Sequence, residues 1–169
     1  MIKLIDLLTE KYNISNKQAE MLYFLAHDKK HVSKYADEIN NVIKSNSEDC
    51  PIPLYRGFGL KYNIGTLSTG KYIGQVFTIG DILSMSENIK IAKNFGKDSG
   101  IIMKVVDGFG FCYWKWYIEQ LKSPSQSDLD LIDVLSKEKE WLLSKESKFK
   151  IQDVESTEGY SMIICSHIH

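Results

Sequence analysis

The chain has 169 residues, of which 43% are hydrophobic and 11% aromatic, and this is enough apolar material to fill the core of one domain. Its 21 basic and 22 acidic residues give a formal net charge of -1, which excludes a global basic field that would attract nucleic acid or an anionic membrane. The cysteines are odd in number and widely spaced, which argues against a disulfide framework or a zinc ribbon and favours a reducing cytoplasm: Cys50, Cys112 and Cys165.

The N-terminal part of the chain is predicted to be helical. Residues 1–12, MIKLIDLLTEKY, follow an amphipathic helix pattern and lack the continuous apolar region of a secretion signal. From Asn16 to about Lys44, apolar residues recur at steps of three and four, which predicts further amphipathic helices. No apolar run approaches the ~20 residues that span a bilayer. We therefore expect a soluble cytoplasmic protein, which other machinery would have to carry if it acts on another cell.

After Cys50, glycines punctuate short β-prone segments, and this part is predicted to be mainly sheet. The expected strands lie in PLYRG, QVFTI, ILSMS, IIMKVV, EWLL, KFKIQDV and SMIICSHI. One helix, NIKIAKNFG, is expected to interrupt them, with Ser86 or Asn88 as its N-cap and Gly96 at its end. The pattern predicts helices packed on a mixed or antiparallel sheet.

The chain shows no internal repeat and only one low-complexity loop, SPSQSD. We therefore predict a single domain over residues 1–169. Its helical N-terminal part would cover residues 1–50, and its mainly β catalytic part would cover residues 51–169.

Two motifs of the β part carry polar residues with chemical potential. LYRGFG places Arg56 at an apolar strand end, where a guanidinium serves either a surface ion pair or bidentate binding of phosphate. The adjacent Gly57 would let a ligand approach the backbone. ILSMS places Ser84 and Ser86 on one strand face, where the hydroxyls either cap the next helix or hold a carboxylate in position.

A third motif, KEKEWLL, sets Glu138 and Glu140 one residue apart. A mixed run of lysine and glutamate is usually a solvated face. If a strand runs through it, however, Glu138 and Glu140 point to one side while Trp141 points to the other. Two like charges on one side are unfavourable unless a cation or a reaction uses them.

The order LYRG, then ILSMSENIKIAKNF, then KEKEWLL followed by KFKIQDV resembles the arginine-serine-glutamate class of mono-ADP-ribosyltransferases. The compact size, helical front end and Glu-x-Glu-Trp pattern are most similar to bacteriophage enzymes of the Alt and Mod type. The resemblance covers roughly residues 53–154, with Met85 in place of the usual threonine and a long segment from Phe109 to Ser136. It implies an α+β fold, a split mixed β-sandwich with N-terminal helices packed on it and NAD in the cleft. The two GFG runs do not extend to the Rossmann pattern GxGxxG.

The resemblance also implies a role for each motif residue. Glu140 would stabilise the oxocarbenium-like ribose that forms as nicotinamide leaves, and Ser84 would orient Glu140. Arg56 would bind the NAD phosphates. The backbone of Gly57 would meet the nicotinamide carboxamide, and Ser86 would help to shape the nicotinamide pocket.

Glu138 is the residue from which the resemblance implies the acceptor. Family members with glutamate at this place generally modify arginine, because a carboxylate binds a guanidinium in a fork and helps to remove its proton. The implied activity is transfer of ADP-ribose from NAD to arginines of target proteins by a phage or toxin effector, without a metal. Nucleic acid stays open as an acceptor. The candidates for stacking on nicotinamide also fit core packing and are Phe95, Tyr113 and Trp114.

Two other functions are compatible with these motifs. An NAD glycohydrolase would use water in place of the protein acceptor, although Glu138 would then lack a purpose. A non-enzymatic interaction module would keep the fold without the chemistry, although all three motif positions are intact.

A metal-dependent hydrolase is the third alternative. In HDKKH, His27–His31, two histidines four residues apart on a helix could share a metal, but Asp28 stands where the HExxH motif needs glutamate. Cys165, His167 and His169 would also align on one face of the last strand. Exposed helix histidines and a polar C-terminal end explain the same residues without a metal.

Overall fold

The computed structural model describes residues 12–27, 32–60, 62, 64–121 and 125–169. The helices are α1 (Asn16–His27), α2 (Val32–Asn46), α3 (Ile89–Gly96), α4 (Tyr113–Gln120) and α5 (Gln126–Glu138), with a 3-10 helix at Gly65–Thr69. The strands are β1 (Glu48–Asp49), β2 (Leu54–Gly57), β3 (Val76–Thr78), β4 (Leu83–Ser86), β5 (Ile101–Val105), β6 (Phe109–Gly110), β7 (Glu140–Leu143), β8 (Lys148–Thr157) and β9 (Tyr160–Ile168). Within these ranges, no helix has both the length and the apolar character needed to cross a membrane.

Seven strands form one hydrogen-bonded order, β3-β8-β9-β5-β2-β4-β7, and β1 pairs separately with β6. All pairs are antiparallel except β5 with β9, so the sheet is mixed. Strand β2 pairs with β5 along its whole length but with β4 only at Tyr55–Ser86. The sheet therefore diverges between β2 and β4, and the predicted α+β class with a split mixed sheet and packed helices is confirmed.

The buried side chains form two clusters. One fills the sheet around Leu54, Met85 and Trp141. The other joins α1 and α2 to α4 and β7, through residues such as Leu22, Ile43 and Leu142. The predicted helices between Asn16 and Lys44 are thus confirmed as α1 and α2, and their apolar faces share a core with the strands. The helix predicted for residues 1–11 lies outside the described residues.

Helix α3 packs against β2 at unusually short range because two glycines meet there. A Cβ built on Gly57 would lie 1.9 Å from the carbonyl oxygen of Ala92, and one built on Gly96 would lie 3.2 Å from the Cα of Gly57. Asn88 is the N-cap, as one of the two predicted candidates, and its side chain accepts from the amide of Lys90. Gly96 is the last helical residue, and its lack of a side chain serves this close approach.

Two helices occupy a region in which the sequence predicted mainly strands. Helix α4 lies in the aromatic segment after Phe109, and α5 lies in the apolar patch LDLIDVL. Helix α5 begins with a capping box, in which Ser125 and Asp128 each bond the other's backbone amide. This helix brings the chain to Glu138, and it determines the geometry of the site.

Candidate active site

A cavity of about 770 Å³ lies beside the point where β2 and β4 diverge, and its size is typical of small-molecule sites. All six residues that the sequence proposed for the donor and acceptor line it: Arg56, Gly57, Ser84, Ser86, Glu138 and Glu140. The motif order along the chain thus corresponds to one place in the fold.

Glu140 is fixed at the cavity by β4. Ser86 lies opposite Glu140 in the β4–β7 ladder, and Ser84 is two residues away on the same face. The Ser84 hydroxyl donates a hydrogen bond to Glu140 Oε1. Met85 alternates to the other side of the strand and is buried in the core. The prediction that a strand serine holds a carboxylate therefore agrees with this local geometry.

Ser86 makes a different contact from Ser84. Its hydroxyl donates to the backbone carbonyl of Glu138 and accepts from the amide of Asn88 at 2.9 Å. The residue is 6% exposed. Ser86 therefore holds the end of α5 as well as lining the cavity.

Arg56 connects the diverging strands. Its Nη1 donates to the backbone carbonyl of Ser84 at 2.6 Å, and its Nη2 donates to the hydroxyl of Tyr62 at 3.3 Å. Its guanidinium lies 5.6 Å from the ring centroids of Phe58 and of Tyr62. The remaining donor, Nε, is buried without a hydrogen-bond partner among the described residues, which is energetically unfavourable unless an acceptor is supplied.

Glu138 reaches the cavity from the end of a helix rather than from a strand. The premise that a strand runs through Glu138 and Glu140 is therefore wrong, because Glu138 closes α5 and Lys139 turns left-handed with φ 46°. Both carboxylates nevertheless line the same cavity. Among the described residues, the Glu138 carboxylate has neither a hydrogen bond nor an ion pair, whereas Glu140 accepts from Ser84.

The three aromatic candidates differ in position. Phe95 lines the cavity from α3 and is 60% exposed. Tyr113 is buried and donates to the backbone carbonyl of Leu22, and the indole nitrogen of Trp114 is buried. Of the three, Phe95 alone has an accessible ring that lines the cavity.

Several lining residues were not found by sequence reasoning. The carboxylate of Asp81 lies at the cavity, and an apolar part of the wall comes from Ile82 with helical residues of α5, Leu131 and Val134. Tyr62, the partner of Arg56, was missed as well. The spacing of three to four residues in LDLIDVL and its capping box could have indicated the α5 wall.

The histidine pattern at the C-terminus has a structural explanation. Strand β9 aligns Cys165, His167 and His169 as expected, but His167 Nδ1 accepts the amide of Phe109 at 3.0 Å, and burial lowers the pKa of His167 to about 4. In the part of the chain that the structure describes, no group of three or more His, Cys, Asp or Glu residues is arranged to hold a metal. The HDKKH run extends over residues 28–31, outside the described residues.

No protein-family model and no curated protein sequence matches the chain. Solved structures do. Plx2a, an ADP-ribosyltransferase toxin from Paenibacillus larvae, matches with a TM-score of 0.55 and 14% identity over 99% of this chain and 96% of its own. The ADP-ribosyltransferase Vis, solved with agmatine, has a TM-score of 0.55 and 17% identity over 83% of this chain and 59% of its own.

Exoenzyme S from Pseudomonas aeruginosa, solved with human 14-3-3 protein beta and carba-NAD, has a TM-score of 0.51 and 17% identity. That match covers 81% of this chain and 57% of the exoenzyme S chain, so the present chain spans little more than half of that relative's length. These similarities show that the chain has the fold of ADP-ribosyltransferases.

Proposed function

We propose that the protein is a mono-ADP-ribosyltransferase that moves ADP-ribose from NAD to arginine side chains of target proteins and releases nicotinamide. The observation that carries this proposal is a pair of carboxylates at one cavity in unlike states. Glu140 accepts from Ser84, whereas Glu138 has no partner among the described residues. Such a pair suits a reaction with one fixed donor-side charge and one incoming cation.

On the donor side, Glu140 would stabilise the ribose as its bond to nicotinamide breaks. Nicotinamide leaves with the bonding electrons, and the ribose becomes an oxocarbenium-like cation. A carboxylate that is already oriented by Ser84 stabilises this cation without having to reorganise during the reaction. The short, fixed bond from Ser84 supports the role.

On the acceptor side, Glu138 would bind the guanidinium of an arginine and take up its proton as the nitrogen attacks the ribose. The charges that line the cavity support a cationic acceptor, because three carboxylates face one guanidinium: Asp81, Glu138 and Glu140 against Arg56. A guanidinium compound, agmatine, is bound in the structure of Vis, which has the same fold.

Arg56 and Phe95 would hold the two ends of the nicotinamide nucleotide. An NAD phosphate would give the buried Nε of Arg56 the acceptor that it lacks among the described residues. The exposed ring of Phe95 at the cavity would stack on nicotinamide. Gly57 and Ser86 would form the adjacent wall, with Gly57 meeting the carboxamide through its backbone.

We also propose that residues 1–169 act as one catalytic domain. Residues of α1 and α2, Leu25 and Ala36, line the same cavity as the β-part residues and support this assignment. The resemblance to phage enzymes of the Alt and Mod type supports a phage or toxin effector that acts on cytoplasmic proteins.

The experiment is to measure nicotinamide release and protein labelling side by side, using labelled NAD and a bacterial lysate or agmatine. Glu140→Gln should reduce both activities, by roughly a hundredfold if the lost stabilisation is about 3 kcal/mol. Glu138→Gln should abolish arginine labelling while NAD hydrolysis by water persists. Mass spectrometry of the labelled products identifies the acceptor atom.

Two outcomes would reject parts of the proposal. Equal loss of both activities in Glu138→Gln, or unchanged arginine labelling, would contradict the division between the two glutamates. Nicotinamide release without labelling of any protein or of agmatine would instead favour the glycohydrolase. Turnover that is lost with a chelator and restored by added zinc would favour the metal-dependent hydrolase.

A further inference from the structure

Lys139, between the two glutamates, has a backbone conformation that lysine rarely adopts. Its φ is 46°, and no other non-glycine residue of the described ranges has a positive φ. The left-handed region costs an L-residue with a Cβ roughly 1–2 kcal/mol, so the surrounding contacts must hold it there. At this residue the chain changes from α5 to β7.

Glu87 is the side chain that contacts this joint. Its side chain is only 10% exposed, and its two carboxylate oxygens have different partners. Oε1 accepts from the indole nitrogen of Trp141 at 2.9 Å, and Oε2 lies 3.7 Å from Nζ of Lys139. The Glu87 amide also donates to the Lys139 carbonyl at 3.3 Å.

The residues beside Glu87 bind the two preceding carbonyls of α5. Ser86 donates to the carbonyl of Glu138, and Nδ2 of Asn88 donates to the carbonyl of Lys137 at 3.3 Å. The turn between β4 and α3 therefore bonds three successive carbonyls, those of residues 137, 138 and 139. A helix end with these carbonyls bonded has a defined direction.

We propose that Lys139 and Glu87 are positioning residues that set the Glu138 carboxylate at the acceptor side of the cavity. The left-handed turn at Lys139 lets a helix-borne and a strand-borne carboxylate line one cavity, and Glu87 maintains that turn. The inference rests on the proposed transferase function, because it assigns Glu138 to the acceptor.

Glu138 depends on this joint more than Glu140 does. Glu140 belongs to the β4–β7 ladder, which pairs four residues, and it also accepts from Ser84. The Glu138 carboxylate has no such contact among the described residues, so its position follows from the backbone at the helix end. A strained joint should therefore impair transfer to the acceptor before it impairs NAD cleavage.

The test compares Lys139→Gly with Lys139→Val. Both variants lose the Lys139 side chain and its ion pair, but glycine adopts positive φ freely while a β-branched residue strongly resists it. The measurement is the ratio of ADP-ribose transfer to agmatine over NAD hydrolysis without agmatine, with the KM for agmatine. We expect Lys139→Gly to keep this ratio within about twofold. Lys139→Val should lower it about tenfold, with a raised KM for agmatine.

Glu87→Gln is the second variant, because it keeps an acceptor for Trp141 but removes the charge that faces Lys139. It should lower the transfer ratio in the same direction, even if Lys139→Val proves too unstable to purify. Ser47→Ala is the matched control, since it removes another serine bond to a helix carbonyl, that of Ile43, and Ser47 does not line the cavity. Equal ratios for Lys139→Gly, Lys139→Val and Glu87→Gln would overturn the proposal.

Crystal structures of the two Lys139 variants, or of Glu87→Gln, distinguish this inference from the proposed function. If the wild type does not label agmatine, the function fails, and the positioning inference then depends on the coordinates alone. A Glu138 carboxylate displaced in Lys139→Val or Glu87→Gln but not in Lys139→Gly supports it. An unmoved Glu138 in all three variants rejects it whatever the activities are.

Discussion

Gly57 provides a quantitative test of how the fold builds the cavity. In Gly57→Ala, the new Cβ would lie 1.9 Å from the carbonyl oxygen of Ala92 and 2.3 Å from the amide nitrogen of Gly96. Real Cβ contacts essentially never fall below 3.0 Å, so helix α3 would have to move by about 1 Å. The clashing atoms belong to the backbone and have no rotamer to change, and we therefore expect a loss of about 3 kcal/mol in the free energy of unfolding.

Urea denaturation at 25 °C measures this loss, and Gly59→Ala is the matched control. A Cβ on Gly59 meets nothing within 4 Å, and Gly59 has no positive φ, so Gly59→Ala should change stability by no more than about 1 kcal/mol, in the stabilising direction. Because α3 carries Phe95 to the cavity, Gly57→Ala should also slow NAD turnover. A Gly57→Ala variant as stable as Gly59→Ala would refute the reasoning about close helix packing.

Three further predictions concern other parts of the molecule. The buried His167 has its pKa lowered to about 4, first by desolvation and then by His169, so the unfolded chain takes up a proton at higher pH than the folded one. Stability should thus fall by about 3 kcal/mol from pH 7.5 to pH 4 in urea titrations, and His167→Gln should remove most of that dependence. Asn40, which accepts from the amide of Lys145 and donates to Glu146, should lose about 2–3 kcal/mol on change to alanine; an equal loss in the exposed neighbour Asn41→Ala would contradict this. Arg56 is the sole arginine of the chain, and it is bonded to Ser84 and Tyr62, so the purified enzyme with labelled NAD should carry no arginine-linked label, whereas Lys137→Arg should acquire one.

The sequence indicated the strand-borne half of the site well, for a physical reason. In a strand, side chains alternate, so the spacing of Ser84, Met85 and Ser86 already specifies which side chains share a face. The apolar residues that follow Arg56 and Glu140 likewise mark strands with buried faces. What the motif order could not provide was the register that brings Ser84 within hydrogen-bonding distance of Glu140, because register depends on contacts between strands.

The helix-borne half was missed because its signals are weaker or tertiary. The patch LDLIDVL is short and apolar, and a short apolar run does not distinguish a strand from a helix. Its capping box at Ser125 and Asp128 was the available signal for α5. The close approach at Gly57 could not be predicted from its neighbours, since it depends on where Gly96 lies in the folded chain.

The change from helix to strand at Lys139 gives the repeated glutamate a meaning that a continuous strand would not. In one strand, Glu138 and Glu140 would be held by the same ladder and would repel each other on one face. In the structure, Glu140 is held by β4, while Glu138 ends a helix and keeps a carboxylate with no partner among the described residues. The two charges are thus held by separate elements, and a substitution in α5 can alter the acceptor side while the hydrogen bond between Ser84 and Glu140 stays intact. Differences in acceptor choice among chains of this fold should therefore be sought first in the segment that leads to the first glutamate.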